Sequence, residues 1–292
     1  MNVRILHTCL AFLTASLLLG CAGPKNSGSQ KLARNQKKID LQLYSVRDDI
    51  KKDFTGTIEQ VGKIGFTGVE AAGYSEGKFY NLTPVQFKSA IEKNGMTVLS
   101  SHTGKALDRD ISKTNWEATW KWWDQCIADH KAAGMKYIVV PSMPAPKTLA
   151  DLKAYCDYFN QIGERCNKQG IRFGYHNHSS EFNELEGQRI YDFMLKNTDP
   201  SKVFFEMDVY WVVRGGQSPV EYFEKYPGRF EILHIKDHKE LGQSGMVGFD
   251  AIFRHAAVGG MKHAVVEVEA YNFTPIESIR KSYDYLINLK EL

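Results

Sequence analysis

Four segments of the chain carry ionisable residues in alternate positions. Gly174-Tyr175-His176-Asn177-His178 sets two imidazoles two residues apart, and Phe204-Phe205-Glu206-Met207-Asp208 does the same with two carboxylates. Ile232-Leu233-His234-Ile235-Lys236 pairs an imidazole with an amine, and Val265-Val266-Glu267-Val268-Glu269 pairs two more carboxylates. In an extended strand, residues two apart share a face. Each segment therefore turns its ionisable groups away from its apolar ones. Burying such groups is costly unless they pair with each other or bind a metal. Two readings follow: an internal ion-pair network, or a site in which His176, Asp208, His234 and Glu267 hold one divalent cation. Two imidazoles with two carboxylates suit Zn, Mn, Co or Fe, with Mg also open.

Other residues complete a polar pocket around that centre. Gln42, Tyr44, Glu70, His102 and Glu269 are candidate substrate contacts, and Trp211, with Tyr210 beside it, could stack on a sugar ring. Glu267 is the first candidate base, with His178 and Glu181 next and Lys236 as a further acid or base. Glu206 lies deeper in its segment, with Lys236 or Arg172 as its expected partner.

The elements that must position these groups are marked by punctuation. Helical patterns end at Gly65-Phe66, Gly95-Met96, Gly134-Met135, Gly170-Ile171 and Gly260-Met261, where glycine supplies the turn back into a strand. Helix starts stand at Thr83-Pro84 with Gln86, Ser218-Pro219 with Glu221, and Thr274-Pro275 with Glu277, each an N-cap, a first-turn proline and a capping-box residue. Strands are expected at 39–44, 67–71, 97–101, 136–140, 171–176, 203–208, 230–235 and 264–268. Alternating strands and helices in that number make an α/β fold, a closed (β/α)8 TIM barrel, whose active sites lie at the C-terminal ends of the strands. A doubly wound sheet would want a glycine-rich phosphate loop after its first strand, and Tyr44-Ser45-Val46-Arg47 offers none. Trp116, Trp120, Trp122 and Trp123 on one helical stretch read as packing or a subunit contact.

The 292 residues are 43% hydrophobic and 24% charged, which excludes disorder and a repetitive fibre. A mean hydropathy of -0.37 excludes a polytopic membrane protein. With 37 Lys and Arg against 34 Asp and Glu, bulk charge gives no argument for nucleic acid. Residues 1–20 carry one formal charge, Arg4, and an apolar stretch from Ile5 to Leu19, the build of a signal peptide. It ends Leu18-Leu19-Gly20-Cys21, which resembles a bacterial lipobox and implies cleavage before Cys21 and its lipidation. Residues 21–38 then form a flexible tether, and 39–292 the barrel. The expected location is outside the cytoplasm, anchored by lipid alone, on an outer membrane facing the periplasm. Cys126, Cys156 and Cys166 read as buried free thiols, since no Cys-x-x-Cys is present.

Over residues 39–290 the chain resembles the sugar phosphate isomerase/epimerase family of xylose-isomerase-like TIM barrels. The resemblance is carried by Asp40-Leu41-Gln42-Leu43-Tyr44-Ser45-Val46-Arg47, Gly68-Val69-Glu70, Gly174-Tyr175-His176-Asn177-His178, Met207-Asp208-Val209-Tyr210-Trp211, Leu233-His234-Ile235-Lys236-Asp237 and Val266-Glu267-Val268-Glu269. It implies a metal set of Glu, Asp, His and Glu on strands five to eight, of which Asp208, His234 and Glu267 match and His176 departs. A two-base epimerase then needs its second base from Glu181, His178, His102 or Lys236. The resemblance implies a metal-dependent sugar isomerase or epimerase working through an enediolate on a carbohydrate, here expected to be non-phosphorylated. A lyase or dehydratase eliminating from a keto sugar or 3-keto-glycoside is the near alternative, and a non-catalytic carbohydrate-binding lipoprotein the non-enzyme one. The expected partners are a small carbohydrate and no nucleic acid, with self-association open.

Overall fold

The structure is a computed structural model and describes residues 37–292. The expected signal segment, the expected lipidation site Cys21 and the expected tether as far as residue 36 lie outside the described residues.

Eight strands alternate with helices: β1 (Asp40–Gln42), β2 (Gly68–Ala71), β3 (Thr97–Ser101), β4 (Tyr137–Val140), β5 (Arg172–His176), β6 (Val203–Asp208), β7 (Ile232–Lys236) and β8 (His263–Glu267). They are followed in turn by α1 (Phe54–Ile64), α2 (Pro84–Glu92), α3 (Trp116–Ala132), α4 (Leu149–Lys168), α5 (Ile190–Asn197), α6 (Pro219–Lys225), α7 (Phe249–Gly259) and α8 (Pro275–Asn288). The strands pair in parallel in the order β3-β2-β1-β8-β7-β6-β5-β4. A parallel bridge between His102 and Val139 brings the two ends of that sheet together, so the barrel is nearly closed. The expected strands are the observed ones, with shifted ends. β1 stops at Gln42 because Leu43–Val46 coil into a 3-10 turn whose first N–H, that of Tyr44, is taken by the Gln42 side chain at 3.0 Å. β7 starts at Ile232 and runs one residue past its expected end, to Lys236.

The five junction glycines all have positive φ, from +73° to +121°. At Gly260 a side chain is excluded twice: φ is +92°, and a Cβ would come within 2.8 Å of the Gly228 backbone. Thr83, Ser218 and Thr274 each cap their helix, but the reciprocal capping box forms only at Thr83 among these three; Thr148 and Asp151 make another ahead of α4.

Apolar residues form two bodies. One fills the space between strands and helices. The other is a plug inside the barrel, made by Leu99, Tyr137, Val139, Phe204, Ile232 and Val265. Phe204, Ile232 and Val265 share strand faces with Glu206 and Asp208, His234 and Lys236, and Glu267 respectively. The plug is therefore a low-dielectric floor beneath the ionisable groups. Trp123 is fully buried and donates to Tyr158 Oη at 2.5 Å, while Trp116 and Trp120 stack at 5.5 Å. The tryptophan helix thus packs the outer shell, and Cys126, Cys156 and Cys166 are buried there as free thiols.

Candidate metal centre at the barrel mouth

Donor atoms of His176, Asp208, His234 and Glu267 lie within 4.8 Å of one another, and all four residues are buried. Asp208 ends β6 and caps the short helix Val209–Arg214: its Oδ1 accepts from the Trp211 N–H at 3.0 Å. That bond fixes the carboxylate and leaves Oδ2 free, 4.0 Å from Nε2 of His176. Nδ1 of His234 stands 3.5 Å from a Glu267 oxygen without a hydrogen bond. Oδ2 of Asp208 and Nδ1 of His234 are both buried without a hydrogen-bond partner among the described residues. Ligands around an ion at about 2.0–2.2 Å stand roughly 3–4 Å apart, so the spacing and the orphaned atoms both fit a cation. The donor set therefore passes a geometric and a chemical test.

Lys236 closes one side. Its ammonium donates to Glu267 at 3.0 Å, pairs with Glu269 at 2.5 Å, and lies 5.2 Å from the centre of the Trp211 ring. Burial raises the Asp208 carboxyl to about 7. Burial also opposes charge on Glu267, but Lys236 and His234 outweigh it and hold this carboxyl well below its usual range. Burial likewise opposes charge on Lys236, yet Glu267, Asp208 and Glu269 keep the amine protonated. Burial and the neighbouring His234 push His176 far down, so its ring is neutral.

A second group of polar side chains lies beneath. Glu206 was expected to pair with Lys236 or Arg172, and the structure corrects this. Its Oε2 meets His102 Nε2 at 2.6 Å, His176 Nδ1 at 3.0 Å and His234 Nε2 at 3.2 Å. Lys236 sits too near the mouth, engaged with Glu267 and Glu269, and Arg172 lies at the start of β5, bound to Glu231. Glu70 accepts from Gln42 at 2.7 Å, from Ser100 at 2.6 Å and from His234 at 2.7 Å, and lies 3.0 Å from His102. Burial disfavours a charged His102, but Glu70 and Glu206 prevail and raise it to about 10. Burial, reinforced by repulsion from Glu70, lifts Glu206 to about 7. Ser100 was not foreseen. The register of β2 against β3 slips by one residue between Val69 and Glu70, and this irregularity leaves Ser100 opposite Glu70.

The xylose isomerase-like TIM barrel family matches residues 58–289. This chain belongs to that family. A sugar phosphate isomerase/epimerase from Parabacteroides distasonis ATCC 8503 is 37% identical, with 89% of this chain and 96% of that one aligned at a TM-score of 0.84. An inosose dehydratase from Geobacillus kaustophilus (strain HTA426) is 24% identical over 247 residues, 78% of this chain and 76% of its own length. The zinc-bound structure of the IolI protein shares the fold at 14% identity and a TM-score of 0.64, covering 87% of this chain and 98% of that one.

On this xylose isomerase-like frame the remaining candidates separate. Gln42 and Glu70 are wholly buried and bonded to each other, and His102 is nearly so. Tyr44 is 42% exposed at the rim, with the Arg47 guanidinium 4.3 Å from its ring centre. Glu181 is buried, and accepts from Tyr175 Oη at 2.6 Å, the His178 N–H at 3.0 Å and Ser180 at 2.9 Å. With three donors on its carboxylate it braces the β5–α5 loop. The His178 ring packs 4.9 Å from His176 and 5.7 Å from Trp211, and burial shifts it down. Glu269, one-third exposed, orients Lys236.

Proposed function

We propose that the chain is a divalent-metal-dependent enzyme of keto-sugar chemistry, and that elimination of a β-oxygen substituent describes it best. His176, Asp208, His234 and Glu267 would hold the cation, which supplies Lewis acidity to a carbonyl and neighbouring hydroxyl. The observation that carries the choice of reaction is at strand five. His176 occupies the place from which a second carboxylate would face Glu267, and its Nδ1 is held by Glu206 at 3.0 Å. The two-carboxylate arrangement that exchanges protons on opposite faces of a sugar is therefore absent from these residues.

An acid and a base lie on one wall instead. Glu267 is a weak base, because Lys236 and His234 stabilise its ionised form. Glu181 is fully engaged with three donors. His178 remains: burial keeps it neutral, and it packs against the same Trp211 ring as Lys236. His178 would take the proton beside the carbonyl, and the Lys236 ammonium would give one to the departing oxygen. Trp211 and Tyr44 would offer apolar faces to the ring. A phosphate is disfavoured, because the acids Asp208, Glu267 and Glu269 gather at the mouth and Arg47 is already bonded to Tyr44 O and Tyr271 Oη, with Glu269 O at 3.3 Å. The substrate class is thus a non-phosphorylated keto sugar or keto-glycoside. An exported, lipid-anchored location through Cys21 accords with such a substrate.

A second reading rests on the same wall, since a single base can also pass a proton between adjacent carbons and isomerise. Incubating the metal-loaded protein with unphosphorylated keto sugars and keto-glycosides in D₂O separates the two. Elimination releases an aglycone or an unsaturated sugar. A deuterated isomer with no leaving group released would favour isomerisation. No turnover and no bound ion would leave a carbohydrate-binding protein.

A further inference from the structure

Two imidazoles span both levels of the barrel interior. His176 places Nδ1 3.0 Å from Glu206 below and Nε2 4.0 Å from Asp208 above. His234 places Nε2 2.7 Å from Glu70 below and Nδ1 3.5 Å from Glu267 above. A neutral imidazole has one N–H and one lone pair, and the partner of one nitrogen decides what the other offers. When each ring carries a single proton, the carboxylate below accepts that N–H and the lone pair faces the mouth.

The lower cluster has the composition of a cation site itself, since His102, His176, Glu206 and His234 also converge. Its spacing argues otherwise. His102 Nε2 is 2.6 Å from Glu206 and His234 Nε2 is 2.7 Å from Glu70. Two ligands sharing one ion at about 2.0–2.2 Å stand roughly 3 Å apart or more, so these are hydrogen bonds. The mouth cluster has the opposite character, with gaps of 3.5–4.0 Å and orphaned donors. The two clusters share His176 and His234, and the closed one orders the open one.

We propose that Glu206, locked together with Glu70 by His102, is a positioning residue that fixes His176 as the Nδ1–H tautomer and His234 as the Nε2–H tautomer. Singly protonated, both rings then present a lone pair to the mouth. Gln42 and Ser100 complete the lock by holding Glu70. This rests on the metal reading of the mouth cluster, and it assigns Glu206, Glu70, His102, Gln42 and Ser100 a role without contact to ion or substrate.

The test uses the full chain with Zn²⁺ as probe. Long-range ¹H–¹⁵N spectra of histidine-labelled, zinc-loaded wild type should show Nδ1–H on His176 and Nε2–H on His234; the opposite tautomer on either ring overturns the proposal without any variant. By chelator competition, Glu206→Leu should weaken zinc binding by about 10–100-fold, the usual effect of losing such a partner. Stoichiometry should stay at one ion, and Glu206→Gln, whose amide oxygen still accepts, should recover most of the loss. Unchanged affinity in Glu206→Leu overturns the proposal, as does a second wild-type ion that disappears in that variant. Asp208→Asn reports on the underlying site separately. If it loses zinc while Glu206→Leu does not, only the positioning role fails; if it keeps full affinity, the mouth site itself fails.

Discussion

The two ends of the barrel use the same residue types and leave them in opposite conditions. At the base, Glu231 receives Arg172 through Nε at 3.1 Å and Nη2 at 2.8 Å on one oxygen, and Lys262 at 2.9 Å on the other. Arg172 also reaches Ser201 O at 2.6 Å and Pro200 O at 3.3 Å, and Asp40 accepts from Thr67 at 2.8 Å. At the mouth, Asp208 Oδ2 and His234 Nδ1 are buried with no hydrogen-bond partner among the described residues, and in the layer beneath so is Glu206 Oε1. Folded proteins rarely leave buried polar atoms unpaired, and exceptions need a cause. The base shows that this chain can pair its charges where they hold strands together, although Arg229 Nε there also lacks a partner among the described residues. The open atoms at the mouth are the ones the proposed cation would engage.

Asp208→Asn tests the contrast hardest. Lewis-acid activation is worth several kcal/mol and each 1.36 kcal/mol is tenfold, so turnover should fall by more than about 10³ and the bound ion should be lost. Stability should move the other way. The folded carboxyl sits at about 7 against a reference of 3.8, so between those values the folded state holds a proton that the unfolded state has released. Stability contributed by this group is full below about pH 4 and is lost as pH rises through about 7. The metal-free variant should thus be more stable than metal-free wild type at pH 7.5, by up to ~4 kcal/mol. Denaturant unfolding with chelator present should show that advantage shrinking toward pH 4. A variant less stable than wild type at pH 7.5 would mean that the mouth, like the base, is a structural network.

Lys236→Met comes next. Loss of an acid of this kind costs about 10²–10⁴-fold in turnover, with the ion retained because Lys236 is not a ligand. The metal-free variant should also become about 3–5 kcal/mol less stable, since Glu267 loses its counter-charge. Added cation should restore much of that, as binding to the folded state contributes ~2.7 kcal/mol at a hundred times the dissociation constant. Zinc content, kcat and chelator-dependent unfolding check each part. Undiminished kcat would remove Lys236 from the chemistry and shift weight to the isomerase reading.

What was legible in the sequence was whatever depends on period and punctuation. The junction glycines and the alternation in β5 to β8 are local, and they gave the barrel and the convergence of His176, Asp208, His234 and Glu267. What escaped depends on closure. A place deep in its strand suggests Lys236 or Arg172 as the partner of Glu206, whereas its partners include His102, 104 residues away, brought across the barrel when β3 meets β4. Ser100 depends on a slip in register that no alternation announces. Glu181 reads as a candidate base because its three donors come from a tight loop and a tyrosine that reads as core. Tyr44 left the strand because a glutamine side chain could cap a turn there as readily as line a pocket.

Glu231→Gln should give the smallest effect and the cleanest control for the base. Its partners are partly open to water, with side-chain exposures of 28% for Arg172 and 57% for Lys262, so screening limits what the pairs contribute. The amide keeps the shape and can still accept from Arg172 through its oxygen, while its NH₂ faces Lys262 as a donor against a donor. A loss of about 1 kcal/mol is expected, seen as a fall of roughly 2–4 °C in melting temperature and smaller in high salt. Zinc content, kcat and the pH dependence of metal-free stability should match wild type. If turnover or zinc binding fell with Glu231, the base would be coupled to the mouth through β5 and β7, which carry His176 and His234. The contrast between a saturated end and an open one would then describe one network rather than two.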